Sequence, residues 1–187
     1  MASALAHAAT PLTERQLRMY RFGLALFLFS EAMMFVTLFS LRFVLAGTDN
    51  PAALEQLAGG ALTLLMWLTL VPAQEAVAAA RRGDTPGLVR SLRLVAFLGV
   101  LLLAGAALEW SQVGLPAGSR FGGIFYASLG FHAAHTAAGV VVLLGLAEQA
   151  RRGRFTPASH FAVEAGVLFW TFMVGVWIAL WTVFYLI

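Results

Sequence analysis

The sequence predicts an all-α fold: a polytopic membrane helix bundle with five transmembrane helices, the N-terminus cytoplasmic and the C-terminus outside. Three observations predict it. Of 187 residues, 60% are hydrophobic and 11% charged, and the mean hydropathy is +0.84, well away from soluble domains. Apolar runs close to the roughly 20 residues a spanning helix needs recur along the whole chain. The arginines are also one-sided. With five spans, Arg15, Arg18, Arg21, Arg81, Arg82, Arg90, Arg93, Arg151, Arg152 and Arg154 share one face of the membrane, and only Arg42 and Arg120 fall on the other. Basic loops stay in the cytoplasm, which fixes the orientation.

Residues 1–19 are expected to form an N-terminal tail and a short interfacial helix. The first twelve are Ala-rich with one Pro and lack the basic start and short apolar core of a signal peptide. Thr13 and Gln16 have the spacing of a capping box opening the interfacial helix. Residues 20–187 form the five-helix domain. Span one covers about 22–46 and ends before Asp49-Asn50-Pro51, a turn sequence. Span two, about 57–79, holds Pro72, which kinks a membrane helix without excluding it. A polar turn at 81–86 (RRGDTP) leads to span three, about 92–112. After a Gly-rich break at 114–118, span four covers about 121–148 and is long enough to tilt. Arg151-Arg152-Gly153-Arg154 closes it, and span five covers about 161–187. No internal repeat is visible. Trp110, Trp170, Trp177, Trp181 and Tyr185 are interfacial anchors or core aromatics.

Composition excludes several chemistries. The chain has no Cys, so disulfides, thiolate metal sites and thiol nucleophiles are absent. Every basic residue is Arg, so neither a Lys Schiff base nor a phosphate-loop Lys exists. The pI of about 10.2 does not point to nucleic acid, because the charges sit beside spanning segments where they orient helices and meet anionic lipid.

The polar residues inside the spans carry the functional question. Glu31 lies near the middle of span one, where a carboxylate costs about 2.5–3.5 kcal/mol and faces protein or water. Proton handling and plain interhelical packing both account for it. On span four, Ser128, His132, His135, Thr136 and Gly139 share a helix face, the pattern of a buried helix–helix seam in lipid. Counting rise from Arg21 and Arg151 puts Glu31 at a depth of about 15 Å and His135 at about 24 Å. That separation leaves a shared polar cavity open but not direct contact. Two histidines are too few for a metal site, and no other span offers a mid-membrane His. Glu109 and Arg120 are a candidate pair at the outer end. His160 and Glu164, beside Arg152 and Arg154, are candidate contacts for a phospholipid headgroup; Glu164 also suits a helix N-terminus. No nucleophile–base pair or paired catalytic carboxylates are seen.

These residues resemble subunit III of the haem–copper oxidases from Arg18 to the end of the chain. Phe29-Ser30-Glu31-Ala32-Met33-Met34-Phe35 is similar to the family's SE-x-(M/L)-F-F segment, and Leu98-Gly99 with Glu109-Trp110 to its L-G…E-W/Y helix. Phe125-Tyr126, Gly130-Phe131-His132, His135 and Gly139 resemble F-(Y/F)-x-x-x-G-F-H-x-x-H-x-x-x-G, the most specific stretch. His160-Phe161, Glu164-Ala165-Gly166, Trp170 and Trp177 resemble its final helix. Thr171 and Val174 replace a His and an Asp usual there, and Ala106 stands where the family has Gln. The resemblance implies a five-helix form lacking the first two of the family's seven helices. It also implies a non-catalytic subunit of a respiratory oxidase in the bacterial cytoplasmic membrane, multi-pass and packed against the haem-bearing subunit I and other oxidase subunits. Haem and copper are then expected in the partner, none in this chain, with phospholipids bound, no nucleic acid, and Glu31 as the proton-linked buried carboxylate. The alternatives are the subunit III-like partner of a nitric-oxide reductase and an independent proton-coupled transporter.

Overall fold

A computed structural model describes residues 12–47 and 56–187. Its elements are α1 (Glu14–Ala46), α2 (Gln56–Leu68), α3 (Leu70–Arg82), α4 (Thr85–Gln112), α5 (Arg120–Arg151), α6 (Phe161–Trp181) and a closing π-helical turn (Thr182–Leu186). Taking α2 with α3 and α6 with the π turn, five helices are long and apolar enough to cross a membrane. The all-α, five-span class is therefore the one observed. The expected break at Asp49-Asn50-Pro51 and most of the expected tail lie outside the described residues.

Local chemistry sets the helix ends. Thr13 accepts from the Gln16 N–H at 3.3 Å while the Gln16 side chain takes the Thr13 N–H at 2.9 Å, a complete capping box. The helix it opens does not stop at the membrane edge. The short interfacial helix expected before residue 20 is the first turns of α1, because nothing between Glu14 and Ala46 breaks the helix. Asp84 likewise caps α4 by accepting from the Gly87 N–H at 3.0 Å, so α4 starts seven residues before the apolar run does. Arg90 and Arg93 thus stand on a helix. Ser119 caps α5 through the Gly122 N–H at 3.0 Å.

Span two is interrupted at Thr69, between α2 and α3. Pro72 explains the place, since its ring clashes with the carbonyl four residues back, that of Leu68. The interruption feeds the packing. The Thr69 hydroxyl donates to the Met66 carbonyl at 2.6 Å and accepts from the Trp170 indole N–H at 2.8 Å. Both residues are fully buried. Two glycines make the slot for that indole: a Cβ at Gly99 would lie 2.6 Å from Trp170 Cη2, and one at Gly139 3.0 Å from its Cε3. Small residues let helices approach where lipid supplies no hydrophobic drive, and here they clamp α3, α4, α5 and α6 around one ring.

α1 lies against α5 and α6 and has only Phe35 and Arg42 fully buried. Most of its apolar surface faces outward.

Candidate functional site

Glu31 and His135 meet. Nε2 of His135 lies 3.0 Å from Oε2 of Glu31, joining α1 to α5, with each side chain about one-fifth exposed (20%). This overturns the expected separation in depth. The rise count started at Arg21, but α1 begins at Glu14. From Glu14 to Glu31 is about 25 Å of helix, close to the 24 Å or so from Arg151 back to His135. Arg21 is not the membrane edge of its helix.

The hydrogen bonds of this pair limit the arrangements it can take. His135 Nδ1 lies 2.8 Å from the Phe131 carbonyl. A carbonyl only accepts, so Nδ1 carries a hydrogen. Nε2 then either accepts from a protonated Glu31 or, in the imidazolium, donates to the carboxylate. Either arrangement puts one proton between the two residues. Phe35, 1% exposed, covers the pair, its ring centroid 5.1 Å from Phe131 and 5.7 Å from His135.

His132 does something different. Its Nε2–H donates to the Met173 carbonyl on α6 at 3.1 Å, and Nδ1 faces the Thr136 hydroxyl at 3.4 Å. Ser128, His132 and Thr136 are buried as one row between helices, the interhelical seam that small and polar spacing suggests. His135 stands at the edge of that row and turns to α1. Beside the row, Ala106, His132, Thr136 and Trp177 help line a space of about 20 Å³, room for one water. Val174 is buried, and the Thr171 hydroxyl donates to the Val167 carbonyl of its own helix at 2.9 Å.

The other expected groupings come apart. Glu109 accepts from the Tyr185 hydroxyl at 2.9 Å, while Arg120, exposed at the start of α5, makes no ion pair with it among the described residues. Glu164 receives Arg81 at 2.8 Å, His160 at 3.3 Å and Arg21 at 3.8 Å, which ties α1, α3 and α6 together at their arginine-rich ends. Arg152 instead pairs with Glu148 at 2.8 Å, and Arg154 stays exposed in the loop. Among the described residues neither Arg152 nor Arg154 joins the His160–Glu164 pair in an ion pair.

Sequence reasoning missed Arg42, which is completely buried. Its guanidinium donates to the Gly47 carbonyl and lies 4.6 Å from the centre of the Phe121 ring, a cation–π contact. The signal was present: Glu31, Phe35, Leu38 and Arg42 follow a 4–3–4 spacing, one stripe of a helix. Among the described residues no three His, Cys, Asp or Glu side chains converge as a metal site would require.

Residues 10–187 match the family described as cytochrome c oxidase subunit III. The chain is similar to a cytochrome c oxidase subunit 3 of Synechocystis, 31% identical over 175 residues, covering 89% of this chain and 75% of that protein. A protein of Mycobacterium tuberculosis named probable cytochrome c oxidase subunit 3 is 31% identical over 203 residues, covering 100% of both. The cytochrome c oxidase subunit 3 of Corynebacterium diphtheriae is 32% identical over 181 residues, covering 88% of this chain and 86% of that one.

Proposed function

The chain belongs to the cytochrome c oxidase subunit III family, and we propose that its Glu31–His135 pair supports proton supply to the haem-bearing subunit of its oxidase. It is a subunit III of a terminal oxidase, a membrane component of aerobic electron transport coupled to proton translocation, and a subunit III in general carries no metal centre. In this reading haem and copper belong to the partner subunit. The neighbouring oxidase subunits and membrane phospholipids complete the surroundings of α1, and the complex sits in a bacterial cytoplasmic membrane, in keeping with bacterial relatives. The N-terminus faces the cytoplasm, a direction supported by the one-sided arginines. Neither a nitric-oxide reductase partner nor an independent transporter gains support from the relatives.

The direct contact between Glu31 and His135 carries this reading. A carboxylate and an imidazole in contact at mid-membrane depth are suited to exchanging a proton. Their placement on the α1 seam, partly open to the outside of the bundle, leaves a neighbouring subunit access to them. The test is purification in mild detergent through a tag on this chain, followed by a reduced-minus-oxidised visible spectrum and an oxygen-consumption assay. Haem bands with oxygen uptake are expected. Haem with nitric-oxide consumption, or a colourless solitary protein, contradicts the reading.

A further inference from the structure

We infer that the space beside His132 is a hydration site. One ordered water, held by Trp110, Thr136 and His132, completes a directed hydrogen-bond chain from α4 through α5 to α6. The space measures about 20 Å³ and counts Ala106, Trp110, His132, Thr136 and Trp177 among its lining residues. Its walls come from α2, α4, α5 and α6.

Unspent hydrogen-bonding capacity is the first reason. Two polar groups around the space are already used. The Trp177 indole N–H donates to the Thr63 hydroxyl at 2.9 Å, and His132 Nε2–H donates to the Met173 carbonyl at 3.1 Å. The Trp110 indole nitrogen is different: it is buried and has no partner among the described residues. A buried N–H without an acceptor is costly, and native proteins place an ordered water where no protein acceptor reaches. Helical side chains lean toward the start of their own helix. That carries the Trp110 ring over Ala106, one turn earlier, whose methyl group leaves room beneath it.

Thr136 is the second reason. Thr37, Thr63, Thr171 and Thr182 each donate to the carbonyl four residues back, at 2.8–3.0 Å, the local bond open to a helical threonine. Thr136 makes no such bond among the described residues. Its hydroxyl faces His132 Nδ1 at 3.4 Å, a long contact for an O–H donor. With Nε2 carrying the ring hydrogen toward Met173, Nδ1 accepts. Thr136 therefore donates to it and keeps its oxygen lone pairs for another donor.

Water matches this pattern and an apolar gas does not. It accepts from Trp110, donates to Thr136 Oγ1 and shares its second hydrogen with His132 Nδ1, three bonds in all, the usual number for a buried water. The chain then runs from Trp110 to water, to Thr136, to His132 and to the Met173 carbonyl, with every donor placed. It holds His132 in the tautomer with its hydrogen on Nε2 and ties three helices through one molecule. None of its atoms belongs to the Glu31–His135 pair, so the inference stands apart from the proton-supply reading.

The test is a density map of the purified complex at a resolution that shows ordered water. A peak is expected within hydrogen-bond distance of Trp110 Nε1 and of Thr136 Oγ1. Thr136→Val keeps the side-chain shape and removes its oxygen, and it should lose the peak; Thr136→Ser should retain it. A second measurement needs no variant. In the isotope-labelled wild-type chain within its complex, the Trp110 indole hydrogen should receive magnetisation from water, whereas that of Trp170, spent on Thr69, should not. Absence of the wild-type peak or of the Trp110 transfer overturns the proposal. So does a peak that persists unchanged in Thr136→Val, or uptake of xenon into the space under pressure, the mark of a dry apolar void.

Discussion

α1 and α4 are both long apolar helices, yet they are held by different means. In its most apolar window α1 has 6% of its residues buried within the chain, and α4 has 39%. α4 is studded with small residues at its contacts, Ser91, Ala96, Gly99 and Ala106 among them, and packs against α3 and α5 over its length. α1 touches the rest along one stripe, where polar groups recur: Arg21 to Glu164 at one end, Glu31 to His135 in the middle, Arg42 over Phe121 near the other. Hydropathy alone does not separate the two, because lipid satisfies apolar side chains as well as protein does. In this molecule close packing builds the α2–α6 bundle, and polar pairs position α1 on it.

Mutations that break the packing should therefore do more damage than mutations on the α1 stripe. The largest effect is expected from Gly99→Val. The new side chain would overlap Trp170 and Val140, since even a Cβ there lies 2.6 and 2.7 Å from them. Overpacking costs about 1–3 kcal/mol or more, and the thermal unfolding midpoint in detergent should fall sharply. Thr69→Val comes next. It leaves the buried Trp170 N–H without its acceptor, a loss of about 1–3 kcal/mol visible in the same melt and as a shift in tryptophan fluorescence.

Phe35→Ala should act differently. Lipid can take up part of the vacated space, so a stability loss of about 1–2 kcal/mol is expected rather than the larger core penalty. It should be confined to α1: faster amide exchange there, with α4 and α5 unchanged. Equal acceleration in all helices would break the distinction between clamped bundle and positioned helix. Glu31→Gln is the mildest structurally. The amide keeps the volume and can still donate to His135, so the melt should move by less than about 1 kcal/mol.

Much of this was legible in the sequence, and the failures have physical causes. Apolar run length gave five spans, and Glu31 stood out because a carboxylate at that depth is costly. The Glu31–His135 contact was not readable because depth was counted from Arg21 and Arg151, whereas a capped helix continues past its first arginine. Pro72 announced a kink, but that the kink would place a hydroxyl under Trp170 depends on α6, far away in sequence. The glycine slot at Gly99 and Gly139 is tertiary in the same sense. Arg42 looked like a topology marker and is buried, with its guanidinium beside a neighbouring ring and donating to a carbonyl. The headgroup candidates Arg152, Arg154, His160 and Glu164 were grouped by adjacency along the chain. In the fold, Arg81 and Arg21 reach Glu164 instead.

The most direct measurement is oxygen consumption followed over many turnovers by complexes carrying Glu31→Gln, at equal yield and haem content to the wild type. A proton pair that serves the catalytic subunit predicts intact assembly with activity that is not sustained. Sustained activity equal to wild type, in a complex whose α1 remains docked, would contradict it and leave Glu31 and His135 as a structural tie alone.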